Sequence, residues 1–128
     1  MQPITQQWIK KAEGDWVSMA REGQARNDPN YDLTCYLAQQ CAEKYLKARL
    51  QEANLAFPKT HDLLALLALI LPIEPSWNVL QVALTKLNDY SVEFRYPGRD
   101  ANAADAQDAQ QFCRVVREVA RRNFGLPI

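Results

Sequence analysis

The sequence predicts an all-α protein, an up-and-down bundle of four to five helices in one domain spanning residues 1–128. Three observations point there. Apolar residues recur at spacings of three and four along most of the chain. Glycine is scarce, with 4 in 128 residues, and the prolines fall between the periodic segments rather than within them. No stretch alternates apolar and polar residues between turn signals, the pattern of a half-buried strand. A single domain of this length is expected to bury roughly two-thirds of its unfolded surface, enough for a core without disulfides or metal.

The first helix is read from about Ile4 to Arg26, with Trp8, Ala12, Trp16, Met19, Ala20 and Gly23 as its apolar stripe. Asp15 falls within that stripe. It sits either at the wet edge or against a partner, because an unpaired buried carboxylate is costly. "NDPN" at 27–30 is a turn. The second helix follows, from about Tyr31 to Ala53, with Leu37, Ala38, Cys41, Ala42, Tyr45, Leu46 and Ala48 facing inward. Tyr36, Gln40, Glu43, Lys44, Lys47 and Gln51 form a polar row on it at helical spacing. After a loop at 54–59, Thr60 is the expected N-cap of a third helix, with Asp62 in its first turn. "HDLLALLALIL" is apolar on nearly every side, which predicts a central helix or one covered by a second subunit. Pro72 and Pro75 end it. A fourth helix is expected from Ser76 to about Arg95, with Trp77, Leu80, Leu84 and Leu87 inward, and a fifth from about Ala103 to Asn123. Tyr96 precedes Pro97 and is pushed out of helical geometry.

Lys plus Arg and Asp plus Glu both number 15, so the chain lacks the overall basic excess of a dedicated nucleic-acid binder, although a local basic patch is compatible with that balance. Cys35, Cys41 and Cys113 have neither a zinc nor a redox spacing and fall at apolar positions. They read as buried free thiols of a cytoplasmic protein. The N-terminus lacks a signal-peptide pattern, and "LLALLALIL" is shorter than the roughly 20 residues a membrane span requires. There is no glycine-rich phosphate loop, no nucleophile elbow, and only one histidine. No metal and no cofactor are therefore expected.

Three stretches remain that carry chemistry. In "QQCAEKYLKA" (39–48), Gln40, Glu43, Lys44 and Lys47 share one face. This is either a solvated row or an anion site built on two lysines on adjacent turns. In "PKTHDLL" (58–64), His61 lies at a helix N-terminus whose backbone N–H groups suit a phosphate; it also suits a capping or packing role. In "FRYPG" (94–98), Arg95 and Pro97 suit a helix end, but Tyr96 is unexplained, and an arginine beside an aromatic ring is a common nucleotide-binding pair.

Together with Ala12 and Asp15 in the first helix, "TCYLAQQCAEKYLKARL", "FPKTHDLLALL" and "FRYPG" resemble the HEPN family, the higher-eukaryote and prokaryote nucleotide-binding domain, over roughly residues 5–122. The resemblance implies a helical bundle and a homodimer. For small prokaryotic members it implies a minimal nucleotidyltransferase partner in a toxin–antitoxin-like pair. Many members are metal-independent RNases whose motif places a histidine four to six residues beyond an arginine. Arg95 matches that arginine in position, but residues 100–102 are Asp, Ala and Asn, so the histidine is missing.

The expected function is a non-catalytic module for a nucleotide or other phosphate-bearing ligand. Lys44, Lys47, His61, Arg95 and Tyr96 would line the site, and Asp15, Gln40 and Glu43 would support them. One alternative is an RNase toxin with His61 as general base and Arg95 stabilising the phosphorane. Another is a purely structural dimerising subunit. The expected dimer face is the third helix with part of the second, because so apolar a helix is costly to leave exposed.

Overall fold

The computed structural model describes residues 1–94 and 96–128. It is an all-helical bundle of α1 (Pro3–Gly23), α2 (Tyr31–Glu52), α3 (Leu63–Ile70), α4 (Gln81–Glu93) and α5 (Ala103–Asn123). The described residues contain no strand. Among the described residues no helix is long and apolar enough to cross a membrane.

Local chemistry explains most of the boundaries. Pro3 opens α1 at a position where its missing N–H costs nothing. The Asn30 side chain accepts the Leu33 N–H and caps α2. Asn102 and Asp105 form a reciprocal capping box on α5. Asp28 takes a left-handed φ of 46° in the α1–α2 turn, a conformation that Asp tolerates better than bulkier residues.

The central helix is α2, not the third helix as its apolar sequence suggests. Of its 22 residues, 12 are buried, against 4 of 21 in α1 and 5 of 21 in α5. Ala38, Cys41, Ala42 and Ala48 give α2 a thin waist that lets its neighbours approach closely. Thr5 bonds Glu52, Trp8 lies under Lys47, and Asp15 pairs with Lys44, so α1 runs antiparallel to α2. Asp32 meets Ala101 and Tyr45 meets Arg121, so α5 runs parallel to it. By contrast α3 has only 8 residues and leaves Ala65, Ala68 and Leu69 outside. All three cysteines are buried and free, as expected. Burial, with Asp105 and Asp32 nearby, pushes the Cys35 thiol up to about 12.

Three boundaries differ from expectation. The first helix ends at Gly23, not near Arg26. The N-cap of α3 is Asp62, not Thr60. Asp62 Oδ1 accepts the N–H groups of Leu64 (3.0 Å) and Ala65 (3.4 Å), while Thr60 Oγ1 accepts only the Asp62 N–H. The expected fourth helix is split. Residues Pro75–Leu80 form a 3₁₀ turn, and regular helix starts at Gln81. In a 3₁₀ turn residues three apart stack on one side, which sends both Trp77 and Leu80 into the core.

A second polar network ties α1, α2 and α5 together. Arg117 grips Glu13 through two hydrogen bonds of 2.8 and 2.7 Å, and the Tyr45 hydroxyl donates to Glu13 at 2.5 Å. The Arg117 guanidinium also lies over the Trp16 ring, 4.7 Å from its centre. Burial alone would raise the Glu13 pKa. The hydrogen bonds from Arg117 and Tyr45, with the charges of Arg117 and Arg121, more than reverse this and hold it below its ordinary value of 4.5.

Two stability experiments follow from this architecture. Asp62→Ala is expected to lower unfolding free energy in a denaturant titration by about 1–2 kcal/mol, and Thr60→Ala by clearly less, because the cap bonds belong to Asp62. Glu13→Gln is expected to cost about 2 kcal/mol at neutral pH. A lowered folded-state pKa stabilises above the unfolded value and stops doing so as pH falls through the folded one. The gap between wild type and Glu13→Gln should therefore be constant above pH 4.5 and shrink progressively below it.

Candidate functional site

Glu43 lies on the central helix with a side chain only 5% exposed. A carboxylate so placed needs several donors. It finds them on its own helix and on the loop before α3. Its Oε2 meets the Lys47 ammonium at 3.1 Å, one helical turn on. Its Oε1 faces His61 Nδ1 at 2.9 Å and accepts from Gln39 Nε2 at 3.3 Å. Gln39 Nε2 also donates to the His61 carbonyl at 3.0 Å, and Gln39 Oε1 accepts from Gln40 at 2.7 Å. The loop carrying His61 is thus fastened to α2 through both backbone and side chain.

The polar row on α2 is therefore not a solvated face. Glu43 and Lys47 are buried, and each lysine has a carboxylate partner: Lys47 has Glu43, and Lys44 has Asp15 at 2.5 Å. Asp15 is thus a paired residue of the stripe. Lys47 Nζ also lies 5.7 Å from the centre of the Trp8 ring, which meets Phe57 edge to face at 6.2 Å.

His61 is the exception in this network, with a side chain 68% exposed. An ionised carboxylate only accepts, so Nδ1 carries the proton shared with Glu43 and the Nε2 edge is left for another molecule. It lines a groove of about 330 Å³ with Asp62, Asn88, Asp89, Ser91 and Val92. The backbone N–H groups at the start of α3, expected to be open to a phosphate, are occupied. Leu63 donates to Asn88 Oδ1, Leu64 and Ala65 to Asp62 Oδ1, and Leu66 to the Asp62 carbonyl. The imidazole is what this helix end offers a ligand.

The structure brings Gln40, Glu43, Lys47 and His61 together, with Lys44 and Asp15 beside them on the α1 side. Tyr96 is 67% exposed and makes no hydrogen bond to this network among the described residues. Arg95 lies outside the described residues. Among those described, no group of His, Cys, Asp or Glu is arranged to hold a metal. Three participants escape sequence reasoning: Gln39, Trp8 and Asn88. Gln39 stands four residues before Glu43, a spacing that places the two on one face and was the available signal. Trp8 reads as stripe, and Asn88 only as a helix surface residue.

The network separates stability from display, and mutation should show it. Lys47→Met leaves the Glu43 carboxylate buried without its cation and is expected to cost about 3 kcal/mol in a denaturant titration. His61→Ala removes an exposed ring but also one donor to Glu43, which keeps Lys47 and Gln39, and is expected to cost about 1 kcal/mol. An equal loss for both would show that the imidazole is part of the core scaffold.

No curated protein and no solved structure matches the chain. The family model for the HEPN domain does, over residues 5–123 of 128. With the helical bundle and the His61 network inside that span, the chain belongs to the HEPN domain family.

Proposed function

We propose that this HEPN domain is a non-catalytic module that binds a nucleotide, or another phosphate-bearing ligand, against His61. The observation that carries the reading is the fastening of an exposed imidazole by a buried carboxylate. The exposed ring is held by the Glu43 carboxylate, and the His61 carbonyl by Gln39. A ring fixed in this way, when doubly protonated, donates from Nε2 to a phosphate oxygen without losing rotamer entropy on binding. Lys44 and Lys47 add positive charge beside it, each tempered by its carboxylate. Lys11, next to Trp8 in a groove of about 210 Å³ on the α1 side, is a further cation that the sequence did not single out. Arg95 and Tyr96 complete the proposed site, the first for phosphate and the second for base stacking.

The finer parts of the reading rest on the family. The module works as a homodimer beside a minimal nucleotidyltransferase, in a toxin–antitoxin-like pair of a prokaryotic cytoplasm. The outward Ala65, Ala68 and Leu69 of α3 are the apolar residues offered to the dimer.

One observation favours a second reading, the metal-independent RNase. The Glu43–His61 pair at 2.9 Å is the arrangement that orients a general base, and such a base contributes about 10²–10⁴ in rate. The dimerising subunit without a ligand is the third reading.

Calorimetric titration with ATP and GTP distinguishes them. Saturable binding by wild type, weakened about ten-fold or more in His61→Ala and in Arg95→Ala, is expected. No binding by folded wild type would reject the ligand reading in favour of the structural one. Incubation with labelled RNA under chelator tests catalysis. Cleavage that disappears in His61→Ala would establish the RNase and overturn the non-catalytic proposal.

A further inference from the structure

Three surface grooves join end to end across the face formed by the start of α2, the end of α4 and the turn before α5. The middle one, about 340 Å³, is walled by Leu33, Tyr36, Tyr90 and Phe94, with Asn30, Asp32 and Ser91 at its ends. Through Ser91 it continues into the groove beside His61. Through Asn30 and Asp32 it continues into a third, about 360 Å³, edged by Asp28 and Asp100.

The charge of this trench is one-sided. Asp28, Asp32, Asp62, Asp89 and Asp100 line it, and among the described residues no lysine or arginine does; His61 stands at one end. Asp62 and Asp32 have structural duties, capping α3 and accepting the Ala101 N–H. Asp28, Asp89 and Asp100 are exposed and have no hydrogen-bond or ion-pair role among the described residues. The floor is aromatic: Tyr90 stacks on Phe94 at 5.7 Å, and Tyr36 stands 46% exposed beside them.

We infer that this trench is a docking surface for an extended basic segment, rich in arginine or lysine, of a partner protein. Guanidinium and ammonium groups suit both of its components, the carboxylates by charge and the Tyr36 ring by cation–π contact. A second copy of the chain is a poor occupant. A two-fold interface sets the same patch against itself, which here would bring carboxylates against carboxylates. A nucleic acid fits worse, because its phosphates would meet the same charges. The inference does not rest on the ligand proposed for His61, which would meet Asp62 and Asp89 in the groove at that end of the trench.

Fluorescence anisotropy with a labelled octa-arginine peptide tests this. Saturable binding is expected, weakened about five-fold or more by Asp89→Asn, in the groove beside His61, and by Tyr36→Ala, in the middle groove. Glu118→Gln, which removes the same charge near the other end of α5, is expected to leave affinity unchanged. Thermal melts confirm folding of each variant. Absence of binding, or equal weakening by Glu118→Gln, would overturn the docking surface and leave only diffuse attraction. Two further outcomes would also overturn it: a dimer that dissociates in Tyr36→Ala, assigning the face to self-association, or a labelled RNA that binds wild type and loses affinity in Tyr36→Ala.

Discussion

One carboxylate on the central helix sets the terms for its surroundings. Glu43 cannot reach bulk water freely from its place on α2, so its charge must be met by the protein. Lys47 meets it along the helix, Gln39 from one turn back, and His61 from the loop. Two of these ties reach further. The lysine ammonium lies over the Trp8 ring of α1. The glutamine holds the His61 carbonyl and so fixes where the chain re-enters the bundle before α3. From there Asp62 and Asn88 lock the start of α3 to α4, with Asn88 Nδ2 donating to Asp62 Oδ1 at 2.8 Å. A buried ion pair is weak evidence of net stability, since desolvation offsets most of its attraction. Its role here is to choose one arrangement of loop and helices over others.

The opposite side of α2 follows the same logic with different residues. Tyr45 is fully buried, and its hydroxyl lies between Glu13 and Arg121. With Arg117 the group joins all three long helices through charged and aromatic contacts at the edge of an otherwise apolar core. The two networks flank a waist of alanines and cysteines. Small side chains there leave little scope for interlocking shapes to specify helix register, and the polar pairs supply that specificity from either side.

The helices were legible because their apolar spacing is regular and their ends carry proline, asparagine and aspartate signals that act locally. The family was legible because three motifs occur at the right separation. Which helix is central was not. The sequence of α3 is the more hydrophobic, but burial depends on having neighbours on all sides, and a helix of 8 residues is too short to be enclosed by the longer ones. The cap of α3 was assigned two residues too early because Thr60 and Asp62 are both good N-caps; Asn88, distant in sequence, reinforces the Asp62 choice. The same distance hid most of the site. That Glu43 is buried, that its partner is His61, and that Lys44 answers Asp15 are facts of tertiary contact between residues 18 and 29 positions apart. Only the Gln39–Glu43–Lys47 series, on one helix at spacings of four, was open to sequence reasoning, and there the residue overlooked was the amide between two recognised polar groups.

A chain with equal numbers of positive and negative residues need not have a neutral surface. Here the charges separate across α2. Lys11, Lys44 and Lys47 gather along its seam with α1, where the first is exposed and the other two are balanced by Asp15 and Glu43. The aspartates gather where α2 begins, α4 ends and the chain turns into α5, and that trench has no such balance among the described residues. His61 stands where the two regions meet, held by a carboxylate that belongs to the basic side. Its exposed edge faces a groove whose walls are acidic. An anion at the imidazole, as proposed above, would be repelled by those walls, whereas a cationic segment would be attracted to them. A ligand and a partner protein of opposite charge could thus occupy adjoining surfaces of one small bundle, and each would weaken the electrostatic repulsion felt by the other.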